Sequence, residues 1–297
     1  MRSTALLAIS VTCAAALSAC SKPDTPAEDN NAAAVSEPAT PAPDANTAAF
    51  LKALKVDFAA QFVASASEAC GSVKGQEMPD LKSGSPMTYA ASGVIDWGKG
   101  QLDYVQEPGA KVGLINARDE GTFSFGVDVH VLGSGERQYV AGLSQLKNGA
   151  ISATVTDERD AIAHQGDSSR THGNLCVGGT APPARVTQGL WALAAKHLQV
   201  PKTDLTCLDL ASKTGPVTMA FSFDGTTLQA GDQRFTVADS AHSETLMIDP
   251  LTNTPGVIYS VNRPDGSGAG IGLSAPKTLH YAQLDLPGSG RLMCGTP

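Results

Sequence analysis

Two stretches of the chain place apolar residues at the spacing of an amphipathic helix. Residues 48–69 carry an apolar side chain at every fourth position: Phe50, Leu54, Phe58 and Phe62. Residues 186–198 use a similar spacing, with Val186, Leu190, Leu193 and His197. Because such side chains share one helical face, the pattern predicts two helices. Each is followed closely by a cysteine, Cys70 and Cys207.

Elsewhere apolar and polar residues alternate, which is typical of strands with one buried face. Residues 122–131 alternate Phe or Val with polar or small residues, and residues 217–224 alternate in the same way. Asn148-Gly149 and Asp224-Gly225, dipeptides that favour tight hairpin turns, lie between such segments. The pattern therefore predicts antiparallel strands joined by short turns.

The same order of elements occurs twice along the chain. A helix, a cysteine and a run of strands lead to a closing cysteine, Cys176 in the first half and Cys294 in the second. Repetition at this scale indicates tandem copies of one structural unit. We therefore predict an α+β fold of two tandem modules, 48–184 and 185–297. Each is an N-terminal helix packed on an antiparallel sheet of about five strands.

The N-terminus has the features of a secretory signal. Arg2 precedes an apolar run over residues 5–17, which is shorter than the roughly 20 residues that a membrane-spanning helix needs. The run ends in Leu17-Ser18-Ala19-Cys20. These four residues resemble the lipobox of bacterial lipoproteins, in which the cysteine is acylated and becomes the first residue after cleavage.

The lipobox resemblance implies a signal peptide over 1–19 and an acylated Cys20. Ser21 follows, whereas Asp at this place favours retention in the inner membrane. The resemblance thus implies anchorage in the outer membrane through acyl chains, with the protein facing the periplasm. Several chains hold stably, since each buried methylene contributes about 0.8 kcal/mol. An ordinary cleaved signal with a chance cysteine is the alternative.

A linker is expected between the anchor and the folded region. Residues 21–47 contain 5 Pro and 7 Ala, together with five acidic residues and one lysine. Such a segment buries too little apolar surface to offset the entropy of ordering, and proline keeps it extended. We therefore predict a lipidated cysteine and disordered linker over 20–47.

Four cysteines remain in the folded region, Cys70, Cys176, Cys207 and Cys294, and none is in a C-x-x-C motif. An even number in an oxidising compartment favours two disulfides over a metal or redox site. The order of elements favours Cys70–Cys176 and Cys207–Cys294, each joining a helix end to the last strand of its module. A bond across the halves, Cys176–Cys207, is the alternative.

Composition and charge limit the kinds of function that are expected of this chain. The chain has 297 residues, a formal net charge of -8 and 42% hydrophobic residues, an apolar content that is ordinary for a packed globular chain. Its Lys and Arg residues are scattered, so nucleic acid is an unexpected partner. The G-x-S-x-G and H-E-x-x-H motifs, a phosphate-binding loop and a calcium-binding aspartate series are absent from the sequence. We therefore predict no catalytic residue, no cofactor and no metal, and we do not expect an enzyme.

One segment concentrates polar side chains more than any other. It contains Asp160, His164, Asp167, Arg170 and His172. Two imidazoles with carboxylates are compatible with a metal or with acid–base chemistry, but the spacing fits no ligand pattern, and the Gly- and Ser-rich context favours a solvated loop. We assign these five residues as the candidate partner-binding site.

In organisation the chain is similar to periplasmic immunity lipoproteins, which also have a lipobox, a tether and a domain without catalytic residues. That similarity implies a lipid-anchored binding protein that engages and neutralises another protein, a toxic effector. The alternative is a periplasmic carrier of a lipid or other apolar ligand, which requires an apolar cavity with an open mouth. A third class, an envelope hydrolase, lacks a catalytic constellation in the sequence.

Overall fold

The computed structural model describes most of the chain from residue 42 onward. The described residues are 42–75, 77, 79–183, 186, 189–210, 215–236, 242–251, 256–287 and 290–295. The predicted signal peptide, the predicted acylation site Cys20 and the predicted linker up to residue 41 lie outside them.

Three α-helices lie within the described residues: α1 (Ala45–Ala59), α2 (Arg159–Ala163) and α3 (Trp191–His197). A 3₁₀ turn, Ser168–Arg170, follows α2. Helix α1 begins after Asp44, whose carboxylate accepts the first free N–H groups of the helix. In this part of the chain, no helix combines the length and apolar character needed to cross a membrane.

Eighteen strands make up most of the described chain. The first nine are β1 (Ala64–Lys74), β2 (Met87–Tyr89), β3 (Val94–Asp96), β4 (Gln101–Asp103), β5 (Ala110–Ala117), β6 (Thr122–His130), β7 (Arg137–Gln145), β8 (Ile151–Asp157) and β9 (His172–Thr180). The second nine are β10 (Val200–Asp209), β11 (Val217–Phe223), β12 (Thr227–Ala230), β13 (Gln233–Thr236), β14 (Ser243–Asp249), β15 (Gly256–Asn262), β16 (Gly268–Ala275), β17 (Thr278–Leu286) and β18 (Gly290–Gly295).

These strands form one antiparallel sheet. The pairing order is β4–β3–β2–β1–β9–β8–β7–β6–β5–β14–β15–β16–β17–β18–β10–β11–β12–β13. The prediction of an α+β fold with two modules of about five strands each is therefore wrong. The described chain is mostly β, with short helices and a single sheet.

The contact between β5 and β14 makes the sheet continuous. Six residue pairs face each other along it, from Ser243 opposite Ala117 to Ile248 opposite Val112. Without this contact each strand would present a row of unpaired N–H and C=O groups at the edge of its own sheet. Pairing the two edges satisfies both rows, and the two predicted sheets become one.

Strands β1–β9 and β10–β18 follow the same order of pairing. In each run the first strand pairs with the second and with the ninth, and the fifth to ninth strands form a meander. The strands that join the runs, β5 and β14, each have the fifth place in their run. The repetition thus lies in strand order within one sheet.

Helix α1 packs against strands of both runs. It contacts β14, β15 and β16, while the ring of its Phe58 stacks 5.7 Å from that of Phe125 on β6. Phe62, which follows the helix, lies 4.2 Å from the same ring. The buried apolar residues of both runs belong to one hydrophobic core, which is a second reason why separate modules do not form.

Both amphipathic helices are shorter than predicted. Helix α1 ends at Ala59, and residues predicted as helix up to 69 instead begin strand β1. The buried residues Ala64 and Ala66 alternate with a less buried neighbour, so the strand period replaces the helical one just after Phe62. Within the second predicted helix, 186–198, helix α3 covers 191–197, and the described residues 189, 190 and 198 are not helical.

Asp57 connects α1 to α3. Its carboxylate accepts a hydrogen bond from the amine of Lys196, and its Oδ2 lies 2.6 Å from the Nε2 of His197. The hydrogen bond from Lys196 is the main cause of a lowered pKa at Asp57. These two contacts of Asp57 hold α1 and α3 side by side.

The two alternating segments are strands, as the sequence predicts. Residues 122–130 form β6 and residues 217–223 form β11, with Phe and Val side chains of β6 buried at every second position. Gly149, with φ of 80°, lies in the turn between β7 and β8, and Gly225, with φ of 96°, lies between β11 and β12. Both turns use the left-handed backbone that glycine adopts without strain.

Candidate functional site

The five residues predicted to bind a partner come from three consecutive elements. Asp160 lies in α2 and His164 directly follows it; Asp167 precedes the 3₁₀ turn that contains Arg170, and His172 begins β9. Helix α2 is short because a left-handed Gln165 and the glycine after it end it. The chain therefore turns back within a few residues and brings the five side chains together.

Asp160 is the centre of this group, which we name the Asp160 cluster. Its Oδ1 lies 3.0 Å from His164 Nδ1, and its Oδ2 lies 3.5 Å from a guanidinium nitrogen of Arg170. The same Oδ2 is 3.9 Å from His172 Nε2. Arg170 also pairs with Asp167 at 3.4 Å. One carboxylate thus orients both imidazoles and the arginine.

The Asp160 cluster is exposed to solvent. Its side chains have between 43% and 56% of their surface accessible. The pKa of Asp167 is lowered, mainly by a hydrogen bond from the Ser169 hydroxyl. Exposed ion pairs of this kind add little to folding stability. Their effect is to hold both signs of charge in a fixed arrangement at the surface.

Two imidazoles with carboxylates are also the kind of side chains that bind a metal ion. Over the described residues, no group of three or more His, Cys, Asp or Glu side chains is placed to hold a metal ion. The two imidazoles of the cluster each lie against a single carboxylate, that of Asp160. What the arrangement supplies is hydrogen-bond donors and acceptors directed at solvent.

The four cysteines of the folded region form two disulfides. Cys70 on β1 is bonded to Cys176 on β9, and Cys207 on β10 is bonded to Cys294 on β18. In both bonds the cysteines face each other across neighbouring strands. This is the pairing that the sequence favours, and the Cys176–Cys207 alternative is not formed. The first cysteine of each bond lies on a strand, not at a helix end as predicted.

Glu244 and Lys55 are two of the buried polar residues that were not recognised from the sequence. The first is Glu244 on β14, which is fully buried. Its carboxylate accepts the Tyr259 hydroxyl at 2.8 Å and the Leu190 N–H at 3.0 Å. Leu190 directly precedes α3, so Glu244 caps this helix from inside the core.

Burial determines the electrostatics of Glu244. Removal from water raises its pKa above the ordinary value, while the hydrogen bonds from Tyr259 and the helix start oppose the rise. The sequence did carry a signal for this residue. Glu244 stands in the same alternation as the buried Leu246 and Ile248, so the inward face of the strand contains a carboxyl group.

The second unrecognised residue is Lys55 on α1, of which only 4% is exposed. Lys55 lies four residues after Leu51 and so belongs to the buried face of the helix. It lines a cavity of about 240 Å³ between α1, the segment after β4 and the end of β14. The other lining residues are Pro43, Ala48, Leu51, Lys52, Val105, Gln106, Pro108, Ile248 and Pro250.

The chain was compared with protein-family models, with curated proteins and with solved structures, and no match was found in any of the three.

Proposed function

We propose that this protein is a lipid-anchored periplasmic binding protein that engages and neutralises another protein. The observation that supports the proposal is the Asp160 cluster. It presents two carboxylates, a guanidinium and two imidazoles on one exposed surface, with each charged group oriented by a neighbour. The lipobox resemblance at Cys20 supplies the proposed anchor.

The scaffold beneath the cluster suits recognition of a protein surface. The last residue of the cluster, His172, begins β9, and β9 is bonded to β1 through Cys70–Cys176. A side chain on such a support loses little freedom when a partner binds, which reduces the entropic cost of association. Charges of both signs at an interface select a partner by complementarity and accelerate the encounter.

The packing of the sheet interior favours protein binding over carriage of a lipid. Where the described residues face inward, rings fill the space between α1 and the first run of strands. Phe58, Phe62, Tyr89 and Phe125 lie with ring centroids 4.2 to 6.0 Å apart. An acyl chain would have to displace these contacts in order to lie between α1 and the first run of strands.

A competition experiment tests the proposal. A strain that lacks the gene is co-cultured with its parent and should be killed by it, because the parent delivers the effector. The deletion is complemented with wild type or with the double variant Asp160→Asn/Arg170→Gln, which removes one charge of each sign. Wild type should restore survival and the double variant should not.

The matched control is Glu120→Gln/Lys147→Gln. This change also removes one exposed ion pair, 2.9 Å long, without altering net charge. It should restore survival as wild type does. Equal survival of the deletion strain and its parent would refute the neutralising function. Full protection by the Asp160→Asn/Arg170→Gln variant would show that the cluster is not part of the interface with the effector.

A further inference from the structure

The cavity beside Lys55 combines apolar walls with lysine side chains. Leu51, Val105, Ile248 and three prolines supply apolar surface, while Lys52 and Lys55 reach it from α1. Lys52 lies near its rim, where its amine donates to the Gln106 side chain at 2.8 Å. Lys55 is the buried one of the two. No carboxylate is among the residues that line the cavity.

The Lys55 amine has spare hydrogen-bonding capacity. It donates to the backbone carbonyl of Glu107 at 2.9 Å. An ammonium group carries three N–H donors, and among the described residues this carbonyl is its one hydrogen-bond acceptor. A buried ammonium with unfilled donors is costly unless an acceptor reaches it. An anion in the adjacent cavity would be such an acceptor.

The surroundings of Lys55 make its charge sensitive to what occupies the cavity. The pKa of Lys55 is lowered to about 8, mainly by burial and in smaller part by the charge of Lys52. The carboxylates of Glu107 and Asp103 act in the opposite direction. A negative charge placed against the amine would therefore favour proton binding by Lys55.

We propose that this cavity binds a short monocarboxylate, whose carboxylate pairs with the Lys55 ammonium and whose hydrocarbon chain lies against Leu51, Val105 and Ile248. The proposal concerns a site separate from the Asp160 cluster and goes beyond the function proposed above. A volume of about 240 Å³ accommodates roughly eight non-hydrogen atoms at about 30 Å³ each. Hexanoate, with six carbons and two oxygens, has this size.

Titration calorimetry of the full chain with hexanoate tests the proposal. The expected dissociation constant is on the order of 0.1 to 1 mM for a ligand of this size. At about pH 8.5, binding should take up roughly half a proton or more per hexanoate, since Lys55 becomes protonated on binding. Repeating the titration in buffers of different ionisation enthalpy measures this uptake directly.

The variant Lys55→Met keeps the length of the side chain and removes the ammonium group. It should bind hexanoate at least about tenfold more weakly than wild type, because the charge-assisted hydrogen bond is lost. Lys147→Met, at a lysine that is 70% exposed on another surface, is the matched control and should bind as wild type does. Hexylamine should not bind to any of the three proteins.

Three outcomes would overturn the proposal. One is hexanol binding as tightly as hexanoate, which would mean that the cavity recognises hydrocarbon alone. Another is undiminished binding of hexanoate by folded Lys55→Met. The third is absence of proton uptake by wild type, which does not depend on any variant being folded.

Discussion

The buried carboxyl of Glu244 offers a direct test of how the core holds α3. Two donors converge on it: the Tyr259 hydroxyl at 2.8 Å and the Leu190 N–H at 3.0 Å. Replacing Glu244 with Leu leaves both without an acceptor in the core. At about 1 to 3 kcal/mol for each buried unpaired group, the loss in the free energy of unfolding should be at least about 2 kcal/mol.

Two milder changes at the same place separate the contributions. Glu244→Gln keeps one acceptor oxygen and should cost about 1 to 2 kcal/mol, because its amide group faces a donor. Tyr259→Phe removes one donor and leaves the carboxyl bonded to the start of α3, with a cost of about 1 kcal/mol. Urea unfolding followed by circular dichroism measures all three values.

The pH dependence of this stability has a definite sign. Burial raises the pKa of Glu244 above its ordinary value of 4.5, so the folded state binds the proton more tightly than the unfolded state does. The contribution of this group is fully present below pH 4.5 and decreases as pH rises through the folded pKa. Glu244→Gln lacks the group and should gain stability relative to wild type over that range. Parallel curves for the two proteins would refute the reasoning.

Three further predictions concern the scaffold. Removing the second disulfide with Cys207→Ala/Cys294→Ala opens a loop with a sequence separation of 87 and should lower the free energy of unfolding by about 4 to 5 kcal/mol, as measured by urea unfolding against the oxidised wild type. Gly173→Ala places a Cβ 2.1 Å from a backbone carbonyl oxygen and should cost about 1 to 3 kcal/mol. Gly113→Ala, with no atom within 4 Å of the new Cβ, should be neutral or stabilise by about 0.5 kcal/mol, and equal losses for the two would contradict the packing. Asp57→Asn should cost less than about 1 kcal/mol because the ion pair is partly exposed. Since the pKa of Asp57 is lowered from 3.8, this difference should disappear as pH falls through the folded value, which a thermal melt series with pH will show.

Local patterns in the sequence predicted the elements that local interactions determine. Strand β6 follows from strict alternation over nine residues, and the turn at Gly149 from an Asn-Gly dipeptide. The disulfide pairing followed from the order of elements around four cysteines. Strands β2, β3 and β4 have three residues each, too few for any period to be visible, so the strand number was underestimated.

Such local patterns could not predict that the strands form a single sheet. It depends on β5 and β14, which are separated by more than 120 residues and pair edge to edge. The alternation of apolar and polar residues indicates that both segments are strands, but it does not indicate which strand each one pairs with. The apolar pattern also predicts which face of each element is buried. Glu244 lies on the buried face of β14, and Lys55 lies on the buried face of α1. The burial of both residues could therefore have been predicted from their positions in the apolar pattern.

The two candidate sites also differ in how well local sequence patterns predict them. The Asp160 cluster was visible because its five residues lie within 13 positions of one another, and the structure brings them together around one carboxylate. The Lys55 cavity has walls from α1, from the segment after β4 and from the end of β14. No local window of the sequence contains all three.

The contact between β5 and β14 has the symmetry of an assembly. Both strands have the fifth place in their run, and they pair antiparallel, which is the relation that a two-fold axis produces between identical subunits. A fragment that ends after β9 would expose the edge of β5 to a second copy of itself. If this contact opened in the intact chain, β5 and β14 would both expose unpaired backbone N–H and C=O groups. Domain swapping, in which two molecules exchange one run of strands, is therefore the expected route to dimers under destabilising conditions.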